Sequence, residues 1–424
     1  MRRIVLMLAL VTAGEVVFGL AFNVPRFFRP TMLEVFAISN TELGDMFAAY
    51  GVAAMIAYFP GGAIADRFSA RSLITTSLVA TALGGVYMAS IPNATGMKVL
   101  YAYFGFTTIF LFWGALIRAT RDWGGQTSQG TAFGILEGGR GLVAAAVAFA
   151  GVILLATSMP DNANLATAEQ RLDGFRTVVL FYTAVTLLTA AFAWFSFPKE
   201  SKGSDVEYNP VRGMGIVLRR PIVWAQAGVI VCAYCGYKGL DNYSLYANQI
   251  LGMDEVESAR LAAYGAWTRP FSAVIAGLIC DRFNATRSIA VMFAALCISY
   301  LAWSSLEPVS SGMIFVYVNF FATYIGVYAL RGVYFALLEE NRTPQFLTGA
   351  AVGLISLVGY TPDIFFGPIT GRILDANPGI VGFQNYFLFL SGTMVMGLLM
   401  VAWLVWLRRH GGERLWQLST FTTK

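Results

Sequence analysis

Gly62-Ala-Ile-Ala-Asp66-Arg67-Phe68-Ser-Ala-Arg71 is a short run of charge set between two long apolar stretches. The chain repeats it, slightly altered, at Gly277-Leu-Ile-Cys-Asp281-Arg282-Phe283-Asn-Ala-Thr-Arg287. Ala-Ala-Tyr-Gly precedes each copy, at Ala48 to Gly51 and at Ala262 to Gly265. The two offsets, 214 and 215 residues, are about half of the 424-residue chain, so the sequence reads as two related halves with the charged turn at the same point of each.

Outward from these turns the chain is strongly apolar. Hydrophobic residues make up 57% of it and charged residues 12%, about half the charge fraction of a soluble domain. The apolar stretches recur at about 20 residues and do not alternate, which predicts membrane helices and not barrel strands. Twelve spans are expected near 4–24, 43–65, 72–91, 99–117, 131–156, 174–197, 222–247, 259–280, 288–306, 312–338, 347–368 and 386–407. The architecture predicted is an all-α membrane protein of two pseudo-symmetric six-helix bundles, 1–197 and 221–424, the second with a short cytoplasmic tail. A basic cytoplasmic linker, 198–220, joins them, with a short surface helix near 211–218. Glu15 interrupts the first apolar run and no small-residue cleavage site follows, so that run is read as a span and not as a signal peptide.

Orientation follows from lysine and arginine bias. With the N-terminus in the cytoplasm, the loops on that side hold 18 of the 29 basic residues, the opposite loops seven, and the spans four: Arg140, Lys238, Arg269 and Arg331. Both termini and both charged turns are therefore expected in the cytoplasm, with Arg26 and Arg29 in the first outer connection. The +5 net charge is spread over short loops and is no nucleic-acid signal. Cys232-Ala-Tyr-Cys235 has redox-motif spacing but lies in a span, where small packing residues are the simpler reading. One histidine, His410, leaves no histidine-based metal or catalytic cluster, and neither a metal nor a cofactor is expected.

Twelve spans in two related halves, a long basic central loop, and Gly-x-x-x-Asp-Arg turns after spans two and eight together resemble the major facilitator superfamily. The likeness covers essentially the whole chain. The turn matches that family's cytoplasmic motif at Gly62, Asp66, Arg67 and Arg71, but carries Ser69 where glycine is usual, and the second copy is one residue longer before Arg287. The resemblance implies two halves rocking about a central cavity in an inner (plasma) membrane. It also implies a gating role for Asp66, which would pair with Arg118 or Arg121 and latch the outward-open state; Asp281, Arg282 and Arg287 are the second-half counterparts. A carboxylate beside an arginine and a helix N-terminus is stabilised, which agrees. The arginines serve equally well as topology signals.

A basic side chain at mid-membrane costs ~2.5–3.5 kcal/mol on insertion scales, so each needs a reason. Counted along helices from the charged turns, Arg269 lies ~18 Å deep, Arg140 ~15 Å, Arg331 ~12 Å and Lys238 ~24 Å. In the resembled family these helices line the cavity, so a basic site for a small anion is expected, since guanidinium groups bind carboxylate, phosphate or sulfonate oxygens in pairs. Glu137 with Arg140, and Lys238 with Asp241, stand three residues apart and read equally as structural ion pairs. Arg269 and Arg331 have no acid close in sequence within their spans, although Arg331 could serve an inner gate with Glu339 or Glu340. Glu15, Glu137, Asp241 and Asp363 are candidates to carry a coupled proton, Glu15 first because no basic residue stands near it in its span. Tyr50, Trp113, Tyr264, Trp267 and Tyr334 lie at depths where they could shape the cavity. Trp113-Gly114 and Arg331-Gly332 align at an offset of 218, so the halves differ in charge at equivalent places.

The reading is a secondary transporter and not an enzyme: a monomer in the lipid bilayer moving a small organic anion by alternating access. Proton symport is the first expectation, with sodium or a counter-anion as other partners. Ala329-Leu-Arg-Gly through Tyr360-Thr-Pro-Asp363 resembles bacterial permeases for organic anions and sugar acids. Gly134-Ile-Leu-Glu-Gly-Gly-Arg140 departs from the glycine- and asparagine-rich pattern of nitrate carriers, so nitrate is not expected. The rival readings are a proton-driven exporter of drugs or lipophiles and a non-transporting membrane sensor.

Overall fold

The computed structural model describes residues 2–125, 129–198, 210–305 and 312–411. Among them every element is helical, and the path crosses twelve times, in two six-helix bundles. Nine helices are long and apolar enough to cross a membrane by those two properties alone. The other three crossings are span two, Asn40–Arg67, and the interrupted spans seven (221–249) and eight (255–283). Residues 199–209 of the expected linker lie outside the described residues; Pro210–Val217 is a helix packed on span eleven.

Side chains and caps explain where helices begin. Ser39 opens span two with a capping box to Glu42, Thr167 opens span six likewise with Gln170, and Asp254 opens span eight with Glu257. Ser69, inside the opening motif, caps span three by accepting from the Ser72 amide. The departure from glycine in that turn thus supplies an N-cap.

Span one corrects the sequence reading. The chain stays helical through Arg2–Val16, a π-helical turn Gly19–Asn23, Val24–Phe27 and Arg29–Val35. Arg26 and Arg29 are therefore not in an outer connection; each is 3% exposed within the helical bundle. Pro25 and Pro30 sit in the first turn of their helical segments, where a missing N–H costs little, so they mark short offsets and not a loop.

The bundles meet along their outer halves. Span two packs on the second segment of span eleven, Pro362–Ala376, and span five on span eight. Backbones touch where side chains are absent: a Cβ on Gly44 would stand 2.3 Å from the Gly367 carbonyl oxygen, and one on Gly371 2.4 Å from that of Asn40. Asp375 seals the rim, accepting from the Asn40 and Thr41 amides at 3.2 and 2.7 Å. Contact between spans two and eleven continues inward to Gly51, beside the Asp363 backbone. Further in, Ala54, Met55 and Tyr58 of span two face Leu357 and Tyr360 of span eleven across a cavity.

Candidate functional site

Helix irregularities place the cavity's walls. The π-helical turns Gly19–Asn23 and Thr107–Trp113 put Phe22, Asn23, Ile109 and Trp113 on its surface. Such one-residue bulges redirect side chains that a regular helix would aim elsewhere. Span eleven breaks at Tyr360 and restarts at Pro362, which sets Asp363 in a first helical turn at the cavity's end. Span seven tightens into a 3-10 turn at Leu240–Asn242, which carries Asp241.

Charges around this space form two closed groups. In the first, Arg140 holds Glu137 at 2.6 Å and Glu15 at 3.3 Å. Arg269, from the other bundle, reaches the same two carboxylates at 3.3 and 3.4 Å. In the second, Asp241 binds Arg26 at 2.6 Å and Lys238 at 2.9 Å. Lys238 also stands 3.7 Å from Asp363, which accepts from the Tyr234 hydroxyl at 3.1 Å. Each group draws members from both bundles. Buried carboxylates and cations survive out of water only in such arrangements, because an unpaired buried charge costs several kcal/mol.

Arg331 differs. No carboxylate lies within ion-pair distance of it among the described residues. Its guanidinium lies 3.9 Å from the centre of the Tyr237 ring, its Nη1 is buried without a hydrogen-bond partner, and it lines the cavity. The opposite demand on Tyr237 comes from Arg26, which donates to its hydroxyl at 2.8 Å. The expected link between Arg331 and Glu339 or Glu340 is absent: Glu340 accepts from the Ala285 and Thr286 amides at the start of span nine and pairs with Arg408 at 3.0 Å.

Of the other expected site residues, Tyr50, Trp113, Glu15, Arg140 and Asp363 lie on the cavity wall. Arg269 and Lys238, 6% and 1% exposed, are buried behind it in the ion groups and do not line it. Tyr334 is buried against Phe335 and also lies off the wall. Tyr264 and Trp267 face outward: Tyr264 is 46% exposed and packs on Phe149 in a groove with Arg260. Glu15 has no base near it in sequence, yet two arginines from spans five and eight close on it, a proximity only tertiary packing creates. Sequence reasoning missed Arg26, Tyr234, Tyr237 and Tyr360. For Arg26 the signal was that Pro25 can stand in the first turn of a helix and let it continue, which a proline-rich reading concealed; for the tyrosines there was none beyond their place in apolar runs.

At the inner end, Arg118 donates to the Ala65 and Phe68 carbonyls and so caps span two, and Arg71 stacks 3.9 Å from the Trp194 ring. Gly62, Arg67, Arg282 and Arg287 are exposed there, and Arg121 also lies at this end, in the last turn of span four. The side chains of Asp66 and Asp281 lie outside the described residues. None of the four cysteines forms a disulfide, and no metal-holding group of histidine, cysteine or carboxylate occurs among the described residues.

A cavity bounded by two six-helix bundles, closed along the outer half and walled by intramembrane charge, defines a multi-pass membrane carrier. The chain belongs to the Major Facilitator Superfamily, whose sequence profile matches residues 11–367. It is similar to the inner membrane protein YqcE of Escherichia coli K12, 27% identical over 94% of this chain and 93% of that one. It is also similar to a probable nitrate/nitrite antiporter, NarK1, of Thermus thermophilus, 26% identical over 75% of this chain and 68% of that one. The fold matches a bacterial homologue of the human lysosomal transporter Spinster in an inward-facing, unoccupied conformation, with a TM-score of 0.70, 15% identity and 95% of each chain covered. The protein is therefore a secondary transporter of the inner membrane.

Proposed function

We propose that this transporter moves a small organic anion, carrying a carboxylate, phosphate or sulfonate group, by alternating access in symport with a proton. The observation that carries the reading is Arg331, a cation on the cavity wall with a buried, unpartnered Nη1. A buried donor without a partner costs ~1–3 kcal/mol or more when charged, and an arriving anion supplies the missing acceptors. Tyr50 and Trp113 add aromatic surface, and Arg140 lines the same wall. Arg269 and Lys238 act from behind it by holding the carboxylates in place.

For the proton, Asp363 is the best-supported carrier among the four carboxylates. Glu15, Glu137 and Asp241 each have two cations within 3.4 Å, whereas Asp363 has one shared lysine at 3.7 Å and a neutral tyrosine. Glu15, the first expectation from sequence, is thereby displaced. Alternating access follows from rocking of the two halves, 1–197 and 221–424, about the linker 198–220 in a monomer, with Asp66 and Arg118 as the inner latch. The likeness to a probable nitrate/nitrite antiporter is in keeping with an anionic cargo.

Uptake into proteoliposomes tests the reading. Organic anions are expected to compete for transport, with competition lost in Arg331→Gln. Efflux of lipophilic cations, unchanged in that variant, would favour the exporter reading instead. Anion binding without flux in the wild type would favour a sensor.

A further inference from the structure

Nine carboxylate, lysine and arginine side chains stand at or directly behind the cavity wall, and their arithmetic is uneven. Glu15 and Glu137 balance Arg140 and Arg269 in one quartet; Asp241 and Asp363 balance Arg26 and Lys238 in the other. With the four carboxylates ionised, both quartets are neutral. Arg331 alone is left, so the cavity carries one uncompensated positive charge. Arg29, also buried and within electrostatic reach of Asp241, adds no net charge because Asp375 answers it: Arg29 donates twice to Asn40 Oδ1, at 3.1 and 3.2 Å, and Asn40 in turn donates to Asp375 at the outer rim.

The hydroxyl inventory of the wall is equally one-sided. Of the five tyrosines on the wall, Tyr50 is bonded to Thr108 at 2.7 Å, Tyr234 donates to Asp363, Tyr237 accepts from Arg26, and Tyr360 pairs with Tyr334; only Tyr58 has no hydrogen bond among the described residues. These four phenols are engaged within the protein. What they offer a cargo is ring surface, joined by Phe18, Phe22 and Trp113. A polyhydroxylated molecule bound here would surrender water hydrogen bonds for few replacements, and unpaired polar groups in such a site lower affinity. An apolar or aryl body has no such loss.

We propose that the cargo of this site is a monoanion with an apolar or aryl body: one carboxylate or sulfonate held by Arg331, its remainder lying against the aromatic wall. The proposal rests on the anion reading above and narrows it. While Asp363 is ionised, a second negative charge on the cargo would meet only cations already ion-paired with carboxylates, so dianions are disfavoured in that state, and binding is compared at a pH where Asp363 holds no proton. Sugar acids are disfavoured by the wall.

The charge balance also says how the preference can be changed. Asp363→Asn removes one negative charge from the second quartet and leaves the cavity with two uncompensated positive charges. Glu15→Gln does the same through the first quartet. Either substitution should move selectivity towards dianions while keeping Arg331.

The test is ligand binding to the purified full-length protein, read by tryptophan fluorescence and by thermal stabilisation. The probes are benzoate, benzenesulfonate, gluconate, nitrate, succinate and tetraphenylphosphonium. In the wild type, benzoate and benzenesulfonate should bind at least about tenfold more tightly than succinate, roughly the effect of one charge about 12 Å away at an effective dielectric constant near 20. In Asp363→Asn, or in Glu15→Gln if the first variant does not fold, the ratio of succinate to benzoate affinity should rise at least about tenfold. Equal wild-type affinity for succinate and benzoate, or an unchanged ratio in folded variants, overturns the single-charge claim. Gluconate or nitrate binding more tightly than benzoate overturns the claim about the body while leaving an anion transporter. Binding of tetraphenylphosphonium with no anion bound overturns the anion reading itself, and this proposal with it.

Discussion

Arg331 and Arg140 are both guanidiniums on one cavity wall, yet their surroundings give them different work. Arg140 is ion-paired with Glu137 and Glu15, although its Nε makes no hydrogen bond, whereas Arg331 rests on a tyrosine ring with a free donor and no carboxylate at ion-pair distance among the described residues. Arg331→Gln should lower uptake by about 100-fold or more, with the protein still folded, because a charge-assisted pair is lost and no buried carboxylate is stranded. Arg331→Lys keeps the charge but not the planar fork, and should recover only part of the rate. Arg140→Ala should instead lower thermal stability, since it leaves the buried Glu15 carboxylate with Arg269 alone. Comparing uptake with melting temperature across the three variants separates the two roles. At Asp363, replacement by Asn should flatten the dependence of anion uptake on external pH between the carboxyl range and neutrality, while exchange of anions across the membrane of preloaded vesicles continues with selectivity shifted towards dianions. A pH profile unchanged in that variant would remove Asp363 as the proton carrier.

At the scale of elements, the outer closure depends on helices that approach to backbone contact. Gly44→Val on span two would place side-chain atoms on the Gly367 carbonyl of span eleven, where even a Cβ stands 2.3 Å away. Backbone has no rotamer by which to yield, so the outer half should remain open. The expected outcome is retained anion binding, lost translocation, and labelling by an impermeant thiol reagent of a cysteine introduced at Thr41. Gly134→Ala, where a Cβ meets nothing within 4 Å, should change neither flux nor labelling. Several such elements were legible in the sequence. Asn93, at the stop read after span three, caps span four through the Gly96 amide, and the charged turns end spans two and eight. Other features were not. The π-helical turns in spans one and four were not read from the sequence: Gly19 opens the first and Gly114 follows the second, but glycines are frequent throughout these spans and mark no particular helix type.

Across the whole molecule, the polar links between the bundles are spread from the cavity to the outer rim. Arg26 of span one reaches Asp241 of span seven, Thr31 donates to Glu255 of span eight, and Arg372 pairs with Asp45. The first pair is almost fully buried and the last exposed, so they should not contribute alike. Arg26→Ala is expected to destabilise the outward-closed protein by ~3–5 kcal/mol, because it leaves Asp241 buried with Lys238 alone. Arg26→Ala combined with Asp241→Ala should cost less than the two single changes summed, a coupling that a double-mutant cycle on melting temperatures would measure. Arg372→Ala should shift stability by less than ~1 kcal/mol.

The sequence by itself determined the class of fold, because apolar runs of spanning length and a repeated charged turn reflect local demands: each crossing must satisfy its own backbone hydrogen bonds in lipid, and each turn must return the chain to water. It also marked Arg140, Lys238, Arg269 and Arg331 as deep, since depth is counted along one helix, but not Arg26 and Arg29, whose helix runs on past two prolines. What it could not determine was which charges meet. Glu15 and Arg269 are 254 residues apart, and Arg26 and Asp241 are 215 apart. Their pairing depends on how two bundles register against each other, a sum of many packing contacts that no local window contains. That registration alone decided that eight of the nine groups cancel and that Arg331 is left over.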